Sequence, residues 1–592
     1  MDLMSLQSAT SRTISRMFRN VYRLRGQESE LRRRVAGALG LSTRRELERM
    51  ADEMELWQGR AERARNAGRR RNILFITSDQ QRYDSLGVNG GKVARTPVLD
   101  GLARAGVNYR HAHVHNVVCM PSRSTMLTGQ HPQTHGVIAN GIPLPLDAPS
   151  VARELRRQAG YRTALIGKAH FDPHLDPSLH FPENRFAFEH SFGPWRGFEH
   201  VELATHGPMG GHHYADWLWS NYPREVRGFA AVLTGAGGGD TSAPEVAHNP
   251  IPREHYHTDW VAERTVAWLR SLPAEEPWFC WMSFPDPHHP FDPPYDEVKK
   301  RTDWRDVPLP DNYPSSREEI EAILAEKPRH WLDWYEGRFR NPEGGPTHFV
   351  PGRLEERQLR EVTAMIHVEN ELIDEACGRV LAFLRERGLD ENTDVIFTSD
   401  HGELQGDYGL LFKGPYHVES LMRIPMIWRP APSTAVGAAE ITEPVGHVDL
   451  APTFCRIAGI EVPEYMQGAA LPVEAGSGRE RVITAFDSQF EQVGMHLRTI
   501  YRDGYICTRY EPRTRDRGGH FPFYWALWGT GTQVPDYDGS EGELYDLGED
   551  PLQRKNLWSD PARRSLRDDL LADLGDHLPP ARTPPLDVEA PT

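Results

Sequence analysis

Four stretches of the chain are apolar without a break and stop abruptly at polar residues. They are "NILFITSDQ" (72–80), "YRTALIGKAHF" (161–171), "WFCWMSFPDPHHPF" (278–291) and "DVIFTSDHG" (394–402). A strand buried on one face alternates apolar and polar positions. A continuous β-branched and aromatic run instead marks a strand covered on both faces of a parallel sheet. Between these runs the period changes to that of helices, as in "TPVLDGLARAG" and the long segment from Glu361 to Gly388. Strands alternating with helices predict an α/β fold with a large, mainly parallel sheet sandwiched by helices.

After about Glu474 the pattern shifts. "HLRTIYRDGYICTRY" reads as two short antiparallel strands around an Asp503-Gly504 turn, and "GELYDLGEDP" as a further strand and turn. A smaller C-terminal α+β subdomain is expected there, ending in an extended Pro-rich tail, "HLPPARTPPLDVEAPT". The first seventy residues are rich in Arg and contain no Lys. Thr43 and Glu46 have capping-box spacing, and Leu47, Met50, Met54 and Trp57 recur at helical intervals. This predicts a basic helical extension that docks on its own domain or on a neighbouring subunit, with an address signal or an anionic surface as the alternative. The expected organisation is therefore 1–70, 71–473 (catalytic) and 474–592.

Composition narrows the classes. The 592 residues are 39% hydrophobic and 26% charged, which is ordinary for a globular enzyme. A net charge of -16 argues against a nucleic-acid partner. No apolar run is long enough to span a bilayer, and the N-terminus lacks the apolar core of a secretory signal. The five cysteines are scattered and odd in number, so no disulfide framework is expected and a cytoplasmic location is.

In open α/β sheets, ligands bind beyond the carboxyl ends of the strands. The four runs would deliver Asp79, Gln80, Lys168, His170, His288, Asp400 and His401 to one edge. Singly, each has a structural explanation as a turn, cap or core residue; their recurrence at strand ends points to a site. Asp79, Gln80, Asp400 and His401 offer mainly oxygen donors, which suit Ca²⁺, Mg²⁺ or Mn²⁺. A nitrogen from His401 makes Mn²⁺ more plausible than in an all-oxygen site. Two aromatic segments, "GGHHYADWLWSNYP" and "RHWLDWYEGRF", are read as core or interface in preference to walls of a leaving-group pocket. The glycine run Thr234–Asp240 lacks the features of a phosphate loop and is read as a surface loop.

One stretch stays puzzling on chemistry alone. In "VCMPSRSTMLTG" (118–129), Pro121 suits the first turn of a helix and Gly129 its end, so Cys119 falls at a helix N-terminus with Arg123 beside it. A plain thiolate there would be a poor ligand for a hard ion, and the anion-cradling loop of cysteine phosphatases is missing.

Cys119, Pro121, Ser122, Arg123, Leu127, Thr128 and Gly129 resemble the type I sulfatase signature of the alkaline phosphatase superfamily. The resemblance extends through "GKAH", "PDPHHPF", "SDHGE" and "ELYDLGEDPLQRKNL", roughly Arg71 to Trp558. It implies that a formylglycine-generating enzyme oxidises Cys119 to formylglycine, whose hydrated form is the nucleophile. It further implies a divalent ion on Asp79, Gln80, Asp400, His401 and residue 119, with Arg123, Lys168 and Lys413 neutralising charge. Asp400 would take the nucleophile's proton, His288 would protonate the leaving oxygen, and His170 would help expel sulfate. The pairs Asp79-Gln80 and Asp400-His401 depart from the commonest sulfatase pattern and are similar to those of phosphonate monoester hydrolases, phosphodiesterases and choline sulfatases. The expected activity is hydrolysis of small-molecule sulfate esters by a homo-oligomer. Phosphonate monoester or phosphodiester hydrolysis is the alternative, and a non-catalytic binding protein a remote third.

Overall fold

The structure is a computed structural model. It describes residues 70–590 apart from 175, 177–178, 209, 235–237, 342, 347–348, 489–494, 513–534 and 536, and only the backbone of 231–234. The expected N-terminal helix lies outside the described residues, as does part of the Thr234–Asp240 run.

The strands in chain order are β1 (Asn72–Ser78), β2 (Val107–Tyr109), β3 (Ala112–His113), β4 (Arg162–Gly167), β5 (His200–Leu203), β6 (Trp278–Ser283), β7 (Thr393–Ser399), β8 (Met426–Arg429), β9 (Ala439–Ile441), β10 (Val445–Gly446), β11 (Arg481–Asp487), β12 (His496–Arg502), β13 (Tyr505–Glu511) and β14 (Gly542–Asp546). Eight form one sheet in the order β5-β4-β6-β1-β7-β8-β2-β9. Pairing is parallel throughout except where β8 meets β7 and β2. A short β3–β10 pair lies apart.

The unbroken apolar runs have the predicted cause. In β1, Ile73 and Phe75 face one hydrophobic cluster while Leu74 and Ile76 face another, and all four are fully buried. Side chains alternate across a strand, so both faces are covered. The first cluster includes residues of helices Cys119–Thr128, Val151–Ala159 and Leu450–Ala458. The second takes in Pro97–Ala105, His257–Ser271 and the 31-residue helix Glu356–Glu386. That long helix starts five residues before Glu361 because the polar side chains of Glu355 and Gln358 form a reciprocal capping box, a signal that hydrophobic period does not carry.

The C-terminal hairpin forms as its turn residues require: Asp503 and Gly504 both take positive φ (54° and 78°) between β12 and β13. One face of the β11–β14 sheet packs on helix Arg564–His577 through Leu570 and Leu574. The other face joins the main core through Leu497, Tyr501 and Tyr545. Ala485 N also donates to His115 O (3.0 Å), so this sheet is fastened beside the Cys119 helix. After His577 the Pro-rich tail is without helix or strand to residue 590 and lies on its own chain: Arg582 N donates to Gln133 O (2.7 Å) and Glu589 N to Gly141 O (2.9 Å). All five cysteines are free and buried. No helix among the described residues is long and apolar enough to cross a membrane.

Candidate active site

Sheet register assembles the site. Gly167 pairs with Ser283, Ser283 with Thr77, and Ser78 with Ser399. The four adjacent parallel strands β4, β6, β1 and β7 therefore end level with one another, and the residues that follow them emerge together. Gly167 (φ 106°) allows β4 to run close against the Ser283 carbonyl just before Lys168.

The Cys119 helix closes the site from above the strand ends. Val118 is its extended N-cap, and Gly129 ends it in the left-handed conformation (φ 68°), donating to Thr125 O. Arg123, one turn on from Cys119, is fully buried and reaches across four strand ends. Its Nε donates to Asp400 Oδ2 (2.8 Å), one terminal nitrogen to Asp79 Oδ2 (3.1 Å), and the other to Lys168 O and Ser283 Oγ (both 2.9 Å). Lys168 Nζ lies 2.6 Å from Asp79 Oδ2. Burial alone would raise the Asp79 carboxyl, but Lys168, Arg123 and His401 outweigh it and hold Asp79 well below the usual carboxylate range.

Asp79, Cys119, Asp400 and His401 each direct one ligand atom into a common space, all within 4.8 Å of one another and all buried. His401 Nδ1 is satisfied by Gly402 O (2.9 Å), which turns Nε2 inward, 3.1 Å from Cys119 Sγ. A ring held by a backbone carbonyl on one nitrogen, with the other turned into the ligand cluster, is the arrangement of a metal-ligating histidine. Burial lowers its pKa to about 4, so it offers a neutral lone pair. Asp400 Oδ1 accepts from Gln80 N (3.0 Å) and His401 N (2.9 Å), which orients the carboxylate. Gln80 adopts a left-handed φ of 64°; Lys413 Nζ donates to its Oε1 (2.7 Å) and its Nε2 donates to Glu403. The donor set fits a hard divalent ion, with one nitrogen among oxygens.

Cys119 does not fit as a thiolate. Burial, and then Asp79, push its thiol up to about 12, so it stays protonated near neutral pH.

Lys413 Nζ also lies 2.7 Å from His288 Nε2. Asp79, Gln80, Cys119, Arg123, Lys168, His288, Asp400, His401 and Lys413 thus belong to one contact network. His170 stands beside it: it is buried, neither ring nitrogen has a hydrogen-bond partner, and it stacks on His174 at 3.8 Å. His289, the neighbour passed over for the imidazole role, turns towards Glu245 (3.6 Å) and Phe412. Asp286 is occupied structurally, accepting from His257 (2.7 Å), Tyr256 (3.1 Å) and Thr258 at the start of helix His257–Ser271.

Sequence reasoning missed several participants. His206 accepts from Lys168 Nζ (3.0 Å) and stacks on His288 at 4.4 Å, yet sits in no motif. Glu403 had a signal in "SDHGE" that was given no role. Asn140 accepts from Met120 N (3.1 Å) and donates to Glu343 (3.1 Å), whose carboxyl burial pushes up to about 7. The aromatic segments are core where they are buried: Trp331, Trp334, Tyr335, Tyr214 and Leu218 all lie in the hydrophobic clusters.

The sulfatase family model matches residues 71–460, and the chain belongs to that family. It is 29% identical to an arylsulfatase of Clostridium perfringens, over 68% of this chain and 77% of that protein. It is 30% identical to the multifunctional alkaline phosphatase superfamily protein PehA of Trinickia caryophylli, over 68% and 76%. Among solved structures, the phosphonate monoester hydrolase of Agrobacterium radiobacter has the same fold (TM-score 0.67, 24% identity, covering 86% of this chain and 96% of that one). The chain is therefore an alkaline phosphatase-like α/β hydrolase of the sulfatase family.

Proposed function

We propose that this protein hydrolyses sulfate esters of small molecules with a nucleophile made from Cys119. The observation that carries this is the placement of Cys119 at a helix N-terminus, among Asp79, Asp400 and His401, as a thiol too weakly acidic to ionise. Oxidised to formylglycine by a maturation enzyme and hydrated, residue 119 would present a hydroxyl in the same position. Asp79, Gln80, Asp400 and His401, with residue 119, would hold a divalent ion, which would supply Lewis-acid polarisation of the ester oxygens. Ca²⁺ or Mn²⁺ suits this donor set best, with Mg²⁺ a further candidate.

The chain's own residues do the rest. Asp79 and Asp400 are opposed by the buried cations Arg123, Lys168 and Lys413, a surplus of positive charge that favours an anionic ester and its developing charge. Asp400 is the acceptor for the nucleophile's proton. His288 is assigned to the leaving oxygen, and Lys413 donates to its Nε2 (2.7 Å). His170, with both ring nitrogens unengaged by protein, takes the proton of the second hydroxyl as sulfate leaves. The free, buried cysteines fit a reducing cytoplasm, and a homo-oligomer is part of the proposal.

A second reading, hydrolysis of phosphonate monoesters or phosphodiesters, is favoured by the Asp79-Gln80 and Asp400-His401 pairs. One metal-replete preparation assayed on an aryl sulfate and an aryl phosphonate monoester, with Cys119→Ala as control, separates the two. Preference for sulfate supports the first reading, and preference for phosphonate the second. Activity retained by Cys119→Ala rejects the nucleophile in both.

A further inference from the structure

Beside the site, where the loop that follows β4 meets the segment that follows β5, lies a second group of ligating side chains that the mechanism does not use. One donor atom from each of His174, Glu183 and His212 falls within 4.8 Å of the others. Glu183 and His212 are buried, and His174 is partly buried. His174 Nε2 and both ring nitrogens of His212 have no hydrogen-bond partner. Buried polar nitrogens without partners are costly, so a group of them is expected to have an occupant.

The geometry is prepared for one. Glu183 is fixed in a short turn, Pro182–Asn184, and accepts backbone N–H groups from His170 (2.7 Å), Phe171 and Asp172 (both 3.0 Å). Those bonds leave a lone pair on Oε1, which accepts only from His170 N. His174 Nε2 is 3.6 Å from Glu183 Oε1, a separation that an ion between them would fill. The His174 ring stacks on His170 (3.8 Å) and stands edge-on to His212 (5.5 Å, 79°), so its orientation is set by packing.

We propose that His174, Glu183 and His212 form a second metal site, for a borderline transition ion such as Zn²⁺ or Co²⁺. Two imidazoles and one carboxylate select a different ion class from the oxygen-rich set around Asp79. Three protein ligands leave a coordination position open to water or to a substrate oxygen. The site adjoins His170, whose backbone N–H is held by the same Glu183. The inference stands apart from the choice of ester, because it concerns metal content alone.

The probe is Co²⁺. Full-length protein stripped with chelator is equilibrated with Co²⁺ alone, and bound metal is read by elemental analysis and by the visible bands of histidine-ligated cobalt. The wild type is expected to take two equivalents, His212→Ala and His174→Ala one each, and an Asp79→Asn, Asp400→Asn variant one equivalent that retains the histidine bands. Circular dichroism confirms folding of each variant. If the Asp variant does not fold, the wild type against His212→Ala decides. Two equivalents in His212→Ala, or a single equivalent in the wild type that persists in His212→Ala, overturns the proposal and leaves the pocket to water.

Discussion

Lys413 Nζ and His288 Nε2 are 2.7 Å apart, and His288 Nδ1 faces His289 O at 2.5 Å. An ammonium can only donate, so the Nε2 lone pair accepts and the imidazole proton sits on Nδ1. Burial, and then Lys413, hold His288 well below its ordinary pKa. In Lys413→Met the imidazole should titrate at higher pH, by NMR, and kcat should fall by roughly 10²-fold or more, the loss typical of a preorganised charge. An unchanged titration with full activity would show the pair to be only structural.

Cys119→Ala should reduce turnover to background without unfolding the chain. Active protein should also carry at residue 119 the mass change of sulfur replaced by oxygen with loss of two hydrogens, read by peptide mass spectrometry. Material that retains the thiol should be folded but inactive, because a thiol with a pKa near 12 supplies almost no thiolate at neutral pH.

Gly167→Ala tests the register that levels the strand ends. A Cβ at this residue would overlap the Ser283 carbonyl oxygen, and φ is 106°. We expect a loss of about 3 kcal/mol or more in urea unfolding, from backbone displacement combined with strain. The surviving folded fraction should be less active, since Lys168 follows directly. Wild-type stability and activity would refute the assigned close approach.

Glu419 supplies a pH signature away from the strand ends. Burial would raise its carboxyl, but His113 (2.7 Å) and Arg423 (3.3 Å) outweigh this and hold it at about 2. The folded state then binds the proton more weakly than the unfolded chain, where the pKa is about 4.3. The stabilisation is complete above about pH 5 and is lost as pH falls towards 2, with roughly 2–3 kcal/mol at stake. Glu419→Gln should therefore be less stable than wild type at pH 7, and the gap should shrink by pH 3.

Removal of the divalent ion should lower Tm, because a ligand that binds only the folded state stabilises by about 1.4 kcal/mol for each tenfold excess over Kd. Titrating Ca²⁺ and Mn²⁺ into chelated protein should restore Tm and activity together in the wild type. In Asp79→Asn the recovery should need far more metal.

The sequence determined the parts that depend on short-range chemistry. Unbroken apolar runs required strands covered on both faces, and Ile73 to Ile76 show that covering. Pro121 and Gly129 bounded a helix that runs from Cys119 to Thr128. Asp503-Gly504 specified a hairpin turn. Asp79, Gln80, Asp400 and His401 stood out because hard-ion chemistry restricts which side chains can serve, whereas Lys413 and the roles of Cys119 and His288 came from the family resemblance. Tertiary structure decided what depends on distant segments meeting. His206 reaches Lys168 across 38 positions, and Lys413 reaches Gln80 across 333. No local pattern records such separations, because they follow from strand order and register. The same holds for His174, Glu183 and His212, which look like scattered polar residues along the chain. The tail was legible as extended, but its docking on Gln133 and Gly141 was not, since backbone hydrogen bonds leave no signature in side-chain type.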